Sequence, residues 1–266
     1  MIELIASDLD GTLVNDNGII CPKVYELIPN LHKMGIRFAA ASGRFYSQLD
    51  QNFNKVKDDM IFIAHNGAII KYNKKGKTIY ENAIDKQDID SVVSLNRRFG
   101  EEFFLAGEEN AYVVNPSKSL LEIFKNMNIP YIVLDSFDKV KDSIYKMTYY
   151  VSEGIKPHIV KELKKNLNSN IECVVSGDCW IDIMNKGVNK GQAIKMLQKI
   201  FEINGNDTMV FGDNYNDLDM FKAAKYSYAM ENACEEVKSK ANYIAESNND
   251  DGVYKVIKNY ITSLKR

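Results

Sequence analysis

The chain has 266 residues, enough to bury a sizeable core and to form about two domains. Its 34 lysines and arginines stand against 36 aspartates and glutamates, a formal charge of −2, so no basic excess supports nucleic acid as the main partner. Cys21, Cys173, Cys179 and Cys234 lie far apart or in no metal-ligand spacing, which excludes a disulfide framework or zinc site as the expectation. No apolar run is long enough to span a bilayer, and no signal peptide precedes the first strand, so a cytoplasmic chain without membrane partners is expected.

The first predicted element is a strand over 4–9, which breaks into Asp8-Leu9-Asp10-Gly11-Thr12. Alternate residues of an extended chain point to opposite sides, and Gly11 permits the sharp turn that brings Asp8 and Asp10 into one crevice. Two neighbouring acids suit a metal site or a nucleophile beside a proton donor; the same residues also compose a polar turn that caps a strand. A helix follows over 22–34, with Pro22 at its start and Gly35 past its end. The next strand, 37–41, runs into Ser42-Gly43-Arg44 and a helix to about Phe53. A third strand, 60–65, turns at Asn66-Gly67 into a lysine-rich hairpin whose tip, with Lys71, Asn73, Lys74, Lys75, Gly76 and Lys77, is expected to be solvated.

From about Ile84 to Met184 the texture changes. A helix over 85–99, strands near Phe103 and Tyr112, a helix over 117–127, a strand over 145–151, a helix over 155–167 and a strand over 181–184 suffice for a separate sheet. None of these carries an acidic strand-end loop. After the linker near Asn185-Lys186-Gly187, a helix runs from Lys190 to about Phe201. A strand over 208–211 then enters Gly212-Asp213-Asn214-Tyr215-Asn216-Asp217, with Asp217 opening a helix. Strands over 227–230 and 243–245 and an amphipathic helix over 253–264 complete the chain. The expected architecture is an α/β, Rossmann-like doubly wound parallel sheet formed by 1–83 and 185–266, with an inserted α/β cap domain over 84–184.

In an open parallel sheet, ligands bind at the carboxyl ends of strands near a switch in strand order. Asp8 and Asp10, Ser42 and Arg44, and Asp213 to Asp217 each follow a strand, so loops distant in sequence meet in one crevice. Lys190 stands at a helix start, where its charge assists an anionic group.

These residues closely resemble the haloacid-dehalogenase superfamily, and within it the Cof-like sugar-phosphate phosphatases. The resemblance rests on Asp8-Leu9-Asp10-Gly11-Thr12-Leu13, Ala41-Ser42-Gly43-Arg44, Asn66-Gly67-Ala68, Asn189-Lys190-Gly191 and Gly212-Asp213-Asn214-Tyr215-Asn216-Asp217 in the family's order. Glu231-Asn232-Ala233 and Asn248-Asn249-Asp250-Asp251-Gly252-Val253 are weaker echoes. The resemblance implies that Asp8 attacks phosphorus to form an aspartyl-phosphate and that Asp10 serves as acid and then base. It implies Mg2+ held by Asp8, the Asp10 carbonyl and Asp213, with Asp217 or Asn216 acting through water. Ser42, Gly43, Arg44, Lys190 and Asn216 would bind the phosphoryl group or the substrate. The implied partner is a small phosphate ester, a sugar phosphate or a phosphorylated cofactor; nothing fixes the oligomeric state.

Each residue also has a plainer reading. Asp217 caps its helix, Ser42 is a turn residue, Lys190 is an exposed helix-start lysine, and Arg44 forms an ion pair. His65 and His158 pack or hydrogen-bond near strand and helix ends, and Trp180 belongs to the core of the insert. A sugar phosphomutase of the same superfamily would use the same acids, and a non-catalytic phosphate sensor would use the same cradle.

Overall fold

The computed structural model describes residues 1–72, 76–99, 102–176 and 179–264, with the side chains of 96–99 left aside. In chain order it runs β1 (Leu4–Ser7), α1 (Pro22–Lys33), β2 (Arg37–Ala41), α2 (Tyr46–Asn52), β3 (Met60–Ala64), β4 (Ile69–Tyr72), β5 (Lys77–Glu81), α3 (Lys86–Phe99), β6 (Glu102–Ala106), β7 (Ala111–Val114), α4 (Lys118–Asn126) and β8 (Tyr131–Leu134). It continues through β9 (Lys146–Tyr150), α5 (Pro157–Asn166), β10 (Ile171–Ser176), β11 (Trp180–Asn185), α6 (Lys190–Phe201), β12 (Thr208–Gly212), α7 (Leu218–Ala223), β13 (Tyr226–Met230), α8 (Glu235–Lys238), β14 (Tyr243–Ala245) and α9 (Gly252–Leu264). The chain divides into two compact units, one of Met1–Arg44, Leu49–Tyr80 and Asn189–Arg266, the other of Phe45–Gln48 and Glu81–Val188.

The first unit is built on the eight-stranded sheet β14-β13-β12-β1-β2-β3-β4-β5. From β14 to β3 every neighbouring pair is parallel, and β4 returns antiparallel to β3. β1, β3 and β12 are buried along their whole length, so they read as continuous apolar runs rather than alternating ones. Helices cover the sheet through one apolar stripe each: Val24, Leu27, Ile28 and Leu31 of α1 recur at helical spacing and are all buried. From β1 the chain steps to β2 on one side and later returns to β12 on the other, which places the switch in strand order at the carboxyl end of β1.

The second unit carries the six-stranded sheet β10-β11-β9-β6-β7-β8, antiparallel except for β7 with β8. On one side Phe103, Leu105, Met147, Tyr149, Ile181 and Ile183 pack with Val92 of α3 and Ile159 and Leu163 of α5. On the other, Phe104 and Val113 pack with Leu120 and Phe124 of α4, and with Phe45.

Several details differ from the sequence reading. The first strand stops at Ser7, so Asp8 lies just past it, where the Leu9 carbonyl accepts the N–H groups of Thr12, Leu13 and Val14 and closes a tight turn. The lysine-rich segment is not uniformly solvated: Lys71 is buried within β4, because this strand is an inner member of the sheet, while Lys77 opens β5 exposed. Asn73, Lys74 and Lys75 lie outside the described residues. His158 is exposed near the start of α5, while His65 is fully buried. Trp180 is half-buried at the start of β11, its ring tilted by 41° to that of Tyr150 with the centroids 4.6 Å apart. β4 and β5 are the two arms of the expected hairpin, whereas β8 and β10 have no counterpart among the sequence-predicted strands.

Candidate active site

Strand ends at the switch supply the acids. The Asp8 N–H donates to the Phe211 carbonyl at 3.0 Å, extending the β1–β12 pairing by one residue and directing the Asp8 side chain past the sheet. Asp213 follows β12, and Asp217 closes a single 3-10 turn over Tyr215–Asp217. One carboxylate oxygen from each of Asp8, Asp213 and Asp217 lies within 4.8 Å of the others. Gly11 permits this crowding: it sits at φ +79°, and a β-carbon there would lie 2.5 Å from the Asp213 carboxylate.

Lys190 is the opposite of an exposed helix-start lysine. It is 1% exposed, and its Nζ donates to Asp8 Oδ1 at 2.5 Å and to Asp217 Oδ1 at 2.7 Å. Asn189, the N-cap of α6, accepts from the Gln192 N–H and fixes the angle at which Lys190 enters. The second Asp217 oxygen accepts the backbone N–H groups of Asp213 (3.0 Å) and Asn214 (3.1 Å). Asp217 therefore does cap, but it caps the 3-10 turn, in a reciprocal box with Asn214, and no side-chain cap bond joins it to α7.

Burial raises the Asp8 pKa well above the ordinary carboxylate range; Lys190 opposes this, and the charges of Asp217 and Asp213 add to it. Burial also raises Asp213, against the hydrogen bond that Thr12 Oγ1 donates to its Oδ1 at 2.7 Å. For Lys190, burial alone would lower the pKa, but the Asp217 and Asp8 carboxylates reverse the sign and hold the ammonium charged. Three carboxylates against one ammonium leave two negative charges in a buried space when all are ionised. An all-oxygen donor set with that deficit fits a hard divalent cation such as Mg2+.

Asp10 stands apart from this cluster. Its side chain is 58% exposed, and Arg44 grips it in a bidentate pair, Nε to Oδ2 at 3.0 Å and Nη2 to Oδ1 at 2.5 Å. Ser42 is buried at the end of β2; its hydroxyl accepts the Arg44 N–H at 3.2 Å and its carbonyl accepts the Asn66 N–H at 2.9 Å. Gly43 lies against the Asn66 amide, where a β-carbon would come within 3.2 Å. Asn216 is exposed and donates to Asn66 Oδ1 at 3.4 Å. Asp8, Asp213, Asp217 and Lys190 thus form one ionic cluster, Asp10 and Arg44 a second pair, and Ser42, Gly43 and Asn216 gather on Asn66. The roles of Thr12 and Asn214 escaped the sequence reading, although the Asn-x-x-Asp spacing from Asn214 to Asp217 is a capping-box signal.

Residues 5–257 match the family model described as haloacid dehalogenase-like hydrolase. A 5-amino-6-(5-phospho-D-ribitylamino)uracil phosphatase of Escherichia coli is 32% identical over 262 residues, spanning 96% of this chain and 95% of the relative. A crystal structure from Streptococcus mutans superposes with a TM-score of 0.87 at 32% identity, covering 98% of this chain and all of that one. A sugar phosphatase of haloacid dehalogenase subclass IIB has a TM-score of 0.78 at 25% identity, covering 97% and 98%.

Proposed function

The chain belongs to the haloacid dehalogenase-like hydrolases, as a phosphatase, and from that premise we propose that it is a Mg2+-dependent enzyme that hydrolyses a small phosphate monoester through an aspartyl-phosphate on Asp8. The observation that carries this reading is the buried ion pair of Asp8 with Lys190 beside Asp213 and Asp217.

An Asp8 carboxylate oxygen attacks phosphorus, a P–O bond to Asp8 forms, and the bond to the leaving alkoxide breaks. Lys190 serves this step by holding Asp8 ionised against its burial. Asp10 gives its proton to the departing oxygen; it then takes one from the water that attacks phosphorus, releasing inorganic phosphate and restoring the Asp8 carboxylate. In this structure Arg44 holds both Asp10 oxygens, which favours the carboxylate, so the guanidinium has to release one of them before Asp10 carries the proton it donates. The Ser42 hydroxyl, the Gly43 backbone and Lys190 would bind phosphoryl oxygens, with Arg44 and Asn216 toward the rest of the substrate. Asp8, the Asp10 carbonyl and Asp213 would hold the Mg2+, with Asp217 behind them; the cation supplies charge compensation for the phosphate. The residues over 84–184 act as a cap that confers selectivity on this chemistry.

The substrate class is a sugar, polyol or cofactor phosphate. The E. coli relative is named for a phosphoribityl ester, and the subclass IIB structure for sugar phosphate. The test is inorganic phosphate release with Mg2+ from a panel of ribityl, hexose, flavin and pyridoxal phosphates and p-nitrophenyl phosphate. Release is expected, with stoichiometric alcohol product, and Asp8→Asn should lower it by about 10³-fold or more. Transfer of the phosphoryl group to a second sugar hydroxyl, or near-normal release by Asp8→Asn, would overturn the reading.

A further inference from the structure

Asn232 and Asn248 belong to the two C-terminal motifs that the chemistry above leaves unused. Both reach back more than 200 residues to the turn that carries Asp10 and Thr12. Asn232, just past β13, donates through Nδ2 to the Gly11 carbonyl at 2.8 Å, and its Oδ1 accepts the Asn248 N–H at 3.1 Å. Asn248 is 5% exposed and donates through Nδ2 to the Val14 carbonyl and to Asp16 Oδ1, both at 3.1 Å, while Ser247 Oγ donates to its Oδ1 at 3.2 Å. Asn249 adds a reciprocal pair with Asp16, donating to Oδ2 at 2.9 Å and accepting the Asp16 N–H at 3.1 Å.

Within the turn Val14 bridges Asp10 and Ile20, while the Gly11 carbonyl takes its bond from Asn232. The Leu9 carbonyl takes the N–H groups of Thr12, Leu13 and Val14. The Thr12 bond holds the N–H side of the peptide plane between Gly11 and Thr12; the Asn232 amide holds its carbonyl side, next to Gly11, the residue most able to let that plane rotate. On that plane hangs Thr12, whose hydroxyl holds Asp213, and before it stands Asp10. A rotation there would move the proton donor and loosen one acid of the carboxylate cluster together.

We propose that Asn232 and Asn248 are positioning residues: a side-chain clasp that fixes the Gly11 and Val14 carbonyls and thereby sets the orientation of Asp10 and of the Thr12–Asp213 contact. The clasp touches neither phosphate nor leaving group, and its catalytic consequence rests on the phosphatase reading above. Asn248, being buried, has no water to replace its lost contacts, so its removal does more than that of the exposed Asn232.

The test compares Asn232→Ala, Asn232→Asp and Asn248→Ala with the parent. Asn232→Asp keeps the acceptor for the Asn248 N–H but cannot donate to the Gly11 carbonyl. With p-nitrophenyl phosphate, kcat should fall about 10-fold or more in all three variants with KM nearly unchanged, and Mg2+ affinity by calorimetric titration should weaken about 10-fold. In metal-free protein, amide exchange over Gly11–Val14 should accelerate while the strands of the same sheet keep their protection. If Asn232→Ala and Asn232→Asp keep kcat and Mg2+ affinity within about twofold of the parent, or if every loss equals the loss of folded fraction, the clasp is structural only. If the parent releases no phosphate, the phosphatase reading has failed, and Mg2+ titration and exchange still decide the clasp; unchanged exchange at Gly11–Val14 overturns it.

Discussion

Lys190 ties two carboxylates of the site into one buried unit, at 2.5 Å from Asp8 and 2.7 Å from Asp217. Removing it strands two carboxylates, so Lys190→Ala should cost about 3–5 kcal/mol of stability in the metal-free protein, read from denaturant midpoints. A loss within about 0.5 kcal/mol would mean that the acids take up protons freely without it. The pH dependence follows from Asp8, whose folded pKa lies above its unfolded value. The folded chain then binds the proton more tightly, and this group's contribution falls as pH rises from about 4, the unfolded value, through the raised folded one. Metal-free parent protein should therefore lose stability relative to Asp8→Asn as pH rises above about 4, whereas Mg2+ should stabilise the parent more as pH rises, because it binds the ionised acid. Thermal unfolding of both proteins with and without Mg2+ checks this; a pH-independent difference would refute the burial argument. Asp8, Asp10, Ser42 and Asp213 were legible in the sequence because each follows an apolar run that could only be a strand. The burial of Lys190 was not, since its partners lie 182 and 27 residues away.

Among the elements, α6 and α7 meet where glycine is obligatory. A β-carbon on Gly191 would collide with the backbone of Asp219, so the helix that presents Lys190 approaches α7 without an intervening side chain. Gly191→Ala should lower stability by about 1–3 kcal/mol through this overpacking, although alanine is the better helix former. It should also reduce phosphatase turnover, since Lys190 is the preceding residue. A gain in melting temperature would show that the helices separate at no cost. The sequence placed this helix from Lys190 to about Phe201, but gave Gly191 no packing role, because close approach is a property of two helices. β8 and β10 escaped notice for a related reason: each is the edge of its sheet. Tyr131–Leu134 is half-buried to exposed along its length, and the outer end of Ile171–Ser176 is exposed, so neither carries the alternating or continuous apolar pattern that marks an inner strand.

For the whole molecule, the sequence located the change of texture at about Ile84 and Met184, while the compact units divide at Glu81 and Val188 and assign Phe45–Gln48 to the second. Phe45 joins the cluster of Phe104, Leu120 and Phe124, a contact across more than fifty residues that local pattern does not encode. Each unit has its own sheet and its own core, and every member of the carboxylate cluster belongs to the first. A cation bound there stabilises the states in which that cluster is intact, so its protection should spread through the cooperative unit that contains it. Native-state amide exchange with and without Mg2+ should show slower exchange over 8–14, 37–44, 189–201 and 208–217. The strands at 103–106, 111–114 and 146–150 should change much less, since their opening does not require the carboxylates to part. Equal slowing in both sheets would show that the chain opens only as one unit. Slowing confined to the second sheet would remove the divalent cation from Asp8, Asp213 and Asp217 altogether.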